Sequence, residues 1–66
     1  MYRIVDGDFL LEEMGAYHSY GIITPNGLRI EDITLDQNAL RQFVEALNRL
    51  EASELHIMDM VTDFIG

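Results

Sequence analysis

From Ala16 to Thr24 the side chains alternate, with Tyr17, Ser19, Gly21 and Ile23 on one side and Ala16, His18, Tyr20, Ile22 and Thr24 on the other. A period of two with aromatic and β-branched content is the pattern of a strand. Pro25-Asn26-Gly27 follows. Proline presets φ for the first central position of a turn, and Asn-Gly tolerates positive φ where the chain reverses. Leu28 to Ile33 then continues as a partner strand, so the hairpin 16–24/28–33 is the firmest local expectation. Gly21 inside it marks either a bulge or a place where another group lies against the backbone. Upstream, Tyr2-Arg3-Ile4-Val5 has strand composition, Asp6-Gly7-Asp8 carries a turn signal, and Phe9-Leu10-Leu11 is apolar again. A first hairpin turning at Asp6–Asp8 is therefore expected. The run Phe9 to Met14 suits a helix or a strand equally well.

The period changes at Thr34. Thr34-Leu35-Asp36-Gln37 has the form of a capping box, in which Thr34 accepts from the Gln37 amide and the Gln37 side chain reaches back. At about 100° per residue, Ala39, Leu40, Phe43, Val44, Ala46, Leu47 and Leu50 fall in one arc, with Arg41, Gln42, Glu45, Asn48 and Arg49 on the other. That predicts a helix over about 35–51. Ser53 is a suitable N-cap for a second helix over about 54–65, with Glu54 favourably placed at its positive end. Its apolar arc, Leu55, Ile57, Met58, Val61, Phe64 and Ile65, is wide for a small sheet to cover. Leu55, Met58, Val61, Phe64 and Ile65 are accordingly interface candidates, joined by Tyr17 and Tyr20, since tyrosines bury a large ring while keeping a polar tip. The fold expected is a single α+β domain: a small antiparallel sheet of two to three strands, followed by two helices packed on one face.

Composition narrows the function. The chain has 66 residues, of which 48% are hydrophobic, too apolar for intrinsic disorder despite a net charge of -8. With no cysteine, disulfides and cysteine-based zinc sites are excluded, which leaves oligomerisation as the usual support for so small a scaffold. Twelve acids face four arginines and no lysine, so phosphate-backbone binding and adhesion to anionic membranes are disfavoured. A helix-turn-helix DNA reader is set aside because the second helix presents Glu54, His56, Asp59 and Asp63 where base-reading side chains are required. No apolar run approaches the ~20 residues that span a bilayer or forms a signal-peptide core, and a cytoplasmic location is expected.

Three patterns resemble a family of short Firmicutes proteins of unknown function. They are Ser19-Tyr20-Gly21-Ile22, then Glu31-Asp32-Ile33, then Asn48-Arg49-Leu50-Glu51-Ala52-Ser53-Glu54-Leu55-His56 followed by Asp59, Val61, Asp63 and Phe64. The similarity runs from about Ser19 to Gly66, and Met60-Val61-Thr62 stands where the family has an aliphatic pair before its final acid. The resemblance implies no activity.

His56, Asp59 and Asp63 are the one set with metal-ligand character, since helical offsets of three and four place an imidazole and two carboxylates on one face. His18 is a fourth ligand only if the helix folds over its side of the sheet. The competing assignment is a solvated helix face. Ser19 and Ser53 fit a strand and a cap better than a nucleophile, and the scattered glycines form no phosphate loop. The leading expectation is a small acidic protein-interaction module that self-associates as a homodimer, uses no cofactor and performs no catalysis. The alternatives are an acidic inhibitor or nucleic-acid-mimicking decoy that binds a basic protein, and a metal-binding regulator.

Overall fold

A computed structural model describes residues 1–13 and 15–66. Met14, part of the ambiguous Phe9–Met14 run, lies outside the described residues; the rest of that run is strand and turn. Strands β1 (Arg3–Leu11), β2 (Gly15–Ile23) and β3 (Arg29–Thr34) form an antiparallel meander in the order β1-β2-β3. Helix α1 (Gln37–Arg49) follows, then a 3-10 turn (Glu54–His56) that runs into α2 (Ile57–Ile65). The architecture is the expected α+β sheet with two C-terminal helices.

The first hairpin is not the one the local signals suggest. Asp6, Gly7 and Asp8 lie inside β1, paired with Tyr20, Ser19 and His18, and the chain turns at Glu12-Glu13. Aspartate and glycine favour turns only as local preferences. Nine consecutive cross-strand pairs, from Arg3 opposite Ile23 to Leu11 opposite Gly15, outweigh them.

The second hairpin closes as its sequence indicates. Gly27 N–H donates to the Thr24 carbonyl at 2.9 Å and Thr24 N–H to the Leu28 carbonyl at 2.9 Å, with Gly27 at φ 92°. This is a turn followed by a left-handed residue, a common three-residue hairpin connection. Farther along, β3 bulges. Ile22 pairs with Ile30 and Tyr20 with Thr34, so Gly21 alone faces Glu31, Asp32 and Ile33. Asp32 takes φ 57°, and the bulged backbone presses onto Gly21: a Cβ built there would lie 2.2 Å from the Ile30 carbonyl oxygen and 2.8 Å from the Glu31 Cα. Only glycine fits.

The capping box does not form. Thr34 is the last residue of β3, and its Oγ1 accepts from the Asp36 N–H at 3.1 Å. Asp36 is the cap, its Oδ1 accepting from the Ala39 N–H at 3.0 Å, so α1 begins two residues later than expected. At the other end Ala52 N–H reaches the Leu47 carbonyl and Glu51 N–H the Asn48 carbonyl, with Glu51 left-handed at φ 50°. That is a Schellman ending with glutamate in the position glycine prefers. Ser53 does cap, its Oγ accepting from Leu55 N–H at 3.2 Å, but the turn it caps is 3-10 until Ile57.

One face of the sheet carries the core. Tyr2, Ile22, Ile33, Leu40, Val44, Leu47, Ile57 and Val61 are buried together, with Ile4, Tyr20, Ile30, Phe43 and Phe64 packed around them. The N-terminus is fastened to α1 by Asn48, which accepts from Tyr2 N–H at 2.7 Å and donates to the Tyr2 carbonyl at 3.0 Å. The Tyr2 hydroxyl donates to the Ala52 carbonyl at 2.7 Å. Asn48, assigned by periodicity to the wet face of the helix, is thus a structural clasp.

Gly21→Ala is expected to destabilise the fold by about 3 kcal/mol, because the clash is with backbone that cannot step aside. A shift in the urea midpoint of the purified variant measures it, and an unchanged midpoint would refute the bulge.

Candidate functional site

The helices cover only part of the sheet. Since directly opposed residues share a face, the β1–β2 register puts Ile4, Asp6, Asp8, Leu10, Ala16, His18, Tyr20 and Ile22 on the helix side. Val5, Gly7, Phe9, Tyr17, Ser19 and Ile23 lie on the other. Ile4, Tyr20 and Ile22 belong to the core or its border, whereas Asp6, Asp8, Leu10, Ala16 and His18 are all exposed. The distal half of the hairpin therefore projects past the helix layer, which accounts for a longest dimension of 37 Å against 21 and 17 Å across.

On the projecting half, His18 lies between two aspartates. Its Nδ1 is 2.8 Å from Asp8 Oδ1 and its Nε2 is 2.8 Å from Asp6 Oδ2. An ionised carboxylate only accepts hydrogen bonds, so it is the imidazolium, donating from both ring nitrogens, that satisfies the two aspartates together. The hydrogen bonds to Asp8 and then to Asp6 raise the His18 pKa above its ordinary value, with burial opposing them. Tyr20 meets the ring edge-on at a centroid distance of 5.2 Å. The two carboxylates approach opposite sides of the ring, so the three groups share no point where one ion could sit. His18 is consequently not free to serve as a fourth metal ligand.

His56, Asp59 and Asp63 are not brought together either. Among the described residues no group of three His, Cys, Asp or Glu side chains is placed to hold a metal ion. The reason is local: His56 has φ -114° and ψ 8° and precedes α2, so the helical spacing that would align it with Asp59 and Asp63 does not extend back to it.

The interface candidates separate into four groups. Val61 is 3% exposed and belongs to the core, a correction that follows from α2 packing against β3. Phe64 is half-buried against Phe43, with ring centroids 4.7 Å apart, and Tyr20 borders the core. Leu55, Met58 and Ile65 stand in solvent, Leu55 at 90% exposure, beside the exposed acids Asp59 and Asp63. Tyr17 lies on the sheet face that carries no helix, packed on Phe9 at 5.7 Å and donating its hydroxyl to Asp32 at 2.7 Å. That bond to a carboxylate raises the Tyr17 pKa.

A shallow groove of about 370 Å³ runs past Met1, Tyr2, Pro25, Asn48, Glu51 and Ala52. Its polar groups are largely committed: the Asn48 amide and Tyr2 hydroxyl are engaged in the clasp. Above the same corner, Glu54 accepts from the Asn26 backbone N–H at 2.8 Å and from the Asn26 side chain, tying the β2–β3 turn to the helical segment. The backbone bond from Asn26 leads in lowering the Glu54 pKa.

Sequence reading missed the Asp6–His18–Asp8 bridge because the turn assigned to Asp6–Asp8 separated residues that the hairpin places side by side. The alternation of Asp6 and Asp8 about Gly7, at strand spacing, was the available signal. Comparison with protein-family models, with characterised proteins and with solved structures finds no match to this chain.

The bridge has a pH signature. A pKa raised by folding contributes stability that is fully present below the unfolded histidine value of about 6.5 and is lost as pH rises through the folded value. Proton NMR titration of the His18 ring is expected to give an apparent pKa above 6.5, with stability falling over that window, and His18→Gln should flatten the fall. A His18 pKa at or below about 6.5 would show that the bridge does not persist in solution.

Proposed function

We propose that this chain is a small acidic cytoplasmic protein-interaction module that self-associates and performs no chemistry of its own. The observation that carries this reading is the amount of apolar surface left uncovered. Leu10, Leu55 and Ile65 are 78%, 90% and 63% exposed, and Leu11 and Met58 are also in solvent. A chain this short hides only ~60% of its unfolded surface, so a second copy that buries some of these side chains adds directly to a thin margin of stability. Among the described residues no helix is long and apolar enough to cross a membrane, so that surface is not explained as a span. The resemblance to short Firmicutes proteins expected from the sequence would bring no activity with it, and the reading rests on this chain's own surface.

A second reading has its own support. Met58 and Ile65, seven residues apart and so on one face of α2, are exposed next to Asp59 and near Asp63 in sequence, Leu55 is exposed just before the helix, and the chain has no lysine. An apolar strip with an acidic rim is complementary to a partner with a basic rim. This favours an acidic inhibitor or nucleic-acid-mimicking decoy directed at a basic protein.

Light scattering across a concentration series tests the first reading: a species of twice 7.6 kDa is expected by high micromolar concentration, and a monomer throughout that range would overturn it. For the second, Asp59→Asn with Asp63→Asn should weaken capture of a basic protein, and steep weakening with salt is expected. A partner held equally well in high salt would count against the decoy.

A further inference from the structure

Self-association needs a surface, and the two strand edges of the sheet differ sharply. The outer edge of β3 is six residues long and broken by the bulge at Asp32, the kind of interruption that protects a sheet edge. The outer edge of β1 is nine residues long, keeps unbroken register with β2, and pairs with no other described strand. Alternate N–H and C=O groups of β1 therefore point outward along roughly 30 Å, at about 3.3 Å per residue.

Charge selects the occupant. On the eighteen residues of β1 and β2 the titratable acids and bases besides the tyrosines are Arg3, Asp6, Asp8 and His18, so the hairpin carries -1 of the total -8 with His neutral, and no net charge when His18 is the imidazolium. The other acids sit at the Glu12-Glu13 turn, on β3 and in the helical half. A second chain of the same composition meets the least repulsion at this hairpin. At α2 it would bring Asp59 and Asp63 against acids of its own kind, which is why the helical strip suits a basic partner instead.

We propose that the free edge of β1 pairs antiparallel with β1 of a second copy, about a two-fold axis through Gly7, to make one continuous six-stranded sheet. The inference rests on the self-association proposed above and specifies its geometry. Two-fold symmetry requires the axis to be perpendicular to the sheet, so both helix layers lie on the same side and like faces continue across the junction. A one-residue slip exchanges faces and is excluded. With Gly7 at the axis, Val5 lies opposite the second copy's Phe9 and Ile4 opposite its Leu10, apolar against apolar on both faces. Moving the axis to Asp6 sets Ile4 against Asp8, and moving it to Asp8 sets Leu10 against Asp6, with an aspartate facing itself in each case. At the Gly7 axis Asp6 also faces Asp8, but each of these carboxylates already accepts from its own His18. The arrangement also accounts for the overhang: exposed Leu10 on the projecting hairpin comes beside Ile4 of the second copy, at the border of that copy's core.

The chain contains no cysteine, which permits a clean test. Opposed Cα atoms in an antiparallel pair are about 4.5–5.5 Å apart, within disulfide range, and a Cβ on Gly7 meets only the Phe9 ring at 3.6 Å. Oxidised Gly7→Cys is expected to form a covalent dimer as the main product, while Leu28→Cys and Leu55→Cys form only traces. In parallel, Phe9→Lys should raise the dimer dissociation constant at least tenfold by sedimentation equilibrium, with an unchanged circular dichroism spectrum to show that it folds. If the unmodified chain dimerises, yet Gly7→Cys stays uncrosslinked and Phe9→Lys dimerises as before, the edge assignment is wrong while self-association stands. A chain that is monomeric at every concentration overturns both.

Discussion

The helix layer is too small for its sheet, and most of the molecule follows from that mismatch. A 13-residue and a 9-residue helix cover Tyr2 and the Ile4 end of β1, the Tyr20–Ile22 end of β2 and the inner face of β3. Among the described residues the core therefore holds eight buried apolar side chains, gathered at one end. Everything fastening that end is tight: the Asn48 clasp on Tyr2, the Tyr2 hydroxyl on Ala52, the Glu54 bonds to Asn26, and the bulge locked over Gly21. Beyond it the hairpin projects past the helices, with Asp6, Asp8, Leu10, Ala16 and His18 exposed.

A projecting hairpin must hold itself together by cross-strand contacts, because a two-stranded ribbon alone is marginal in water. On one face Phe9 packs on Tyr17, whose hydroxyl is bonded to Asp32. On the other, His18 spans Asp6 and Asp8 and turns its edge to Tyr20. The imidazolium offsets two carboxylates that would otherwise sit two residues apart on one strand face with no counter-charge. These are exposed interactions and individually weak. They act alongside the nine cross-strand pairs that hold β1 in unbroken register with β2.

Much of this was legible in the chain. The alternation through Ala16–Thr24, the Pro25-Asn26-Gly27 reversal and the apolar arc of α1 each report a local period that packing reinforced, and they gave the fold class. Gly21 carried its own signal, since an isolated glycine in a strand marks a bulge or a close approach, and here it marks both. The failures have one cause. At Asp6–Asp8, at Thr34 and at Asn48 the residue type reports a local preference, while the observed role depends on a partner remote in sequence or on where the neighbouring element stops. The apolar arc of α2 was read as too wide for its sheet. Val61 and Ile57 are absorbed by the core, and Leu55, Met58 and Ile65 remain outside it.

The assembly of the molecule turns on whether the outer edge of β1 is satisfied by water or by another chain. Amide hydrogen exchange read residue by residue over Arg3–Leu11, at a concentration below self-association and one well above it, answers this directly. The β1 amides that bond to β2 should be protected in both samples, while the alternate, outward-pointing amides should become protected only in the concentrated one. Identical exchange of the outward amides at both concentrations would contradict the account.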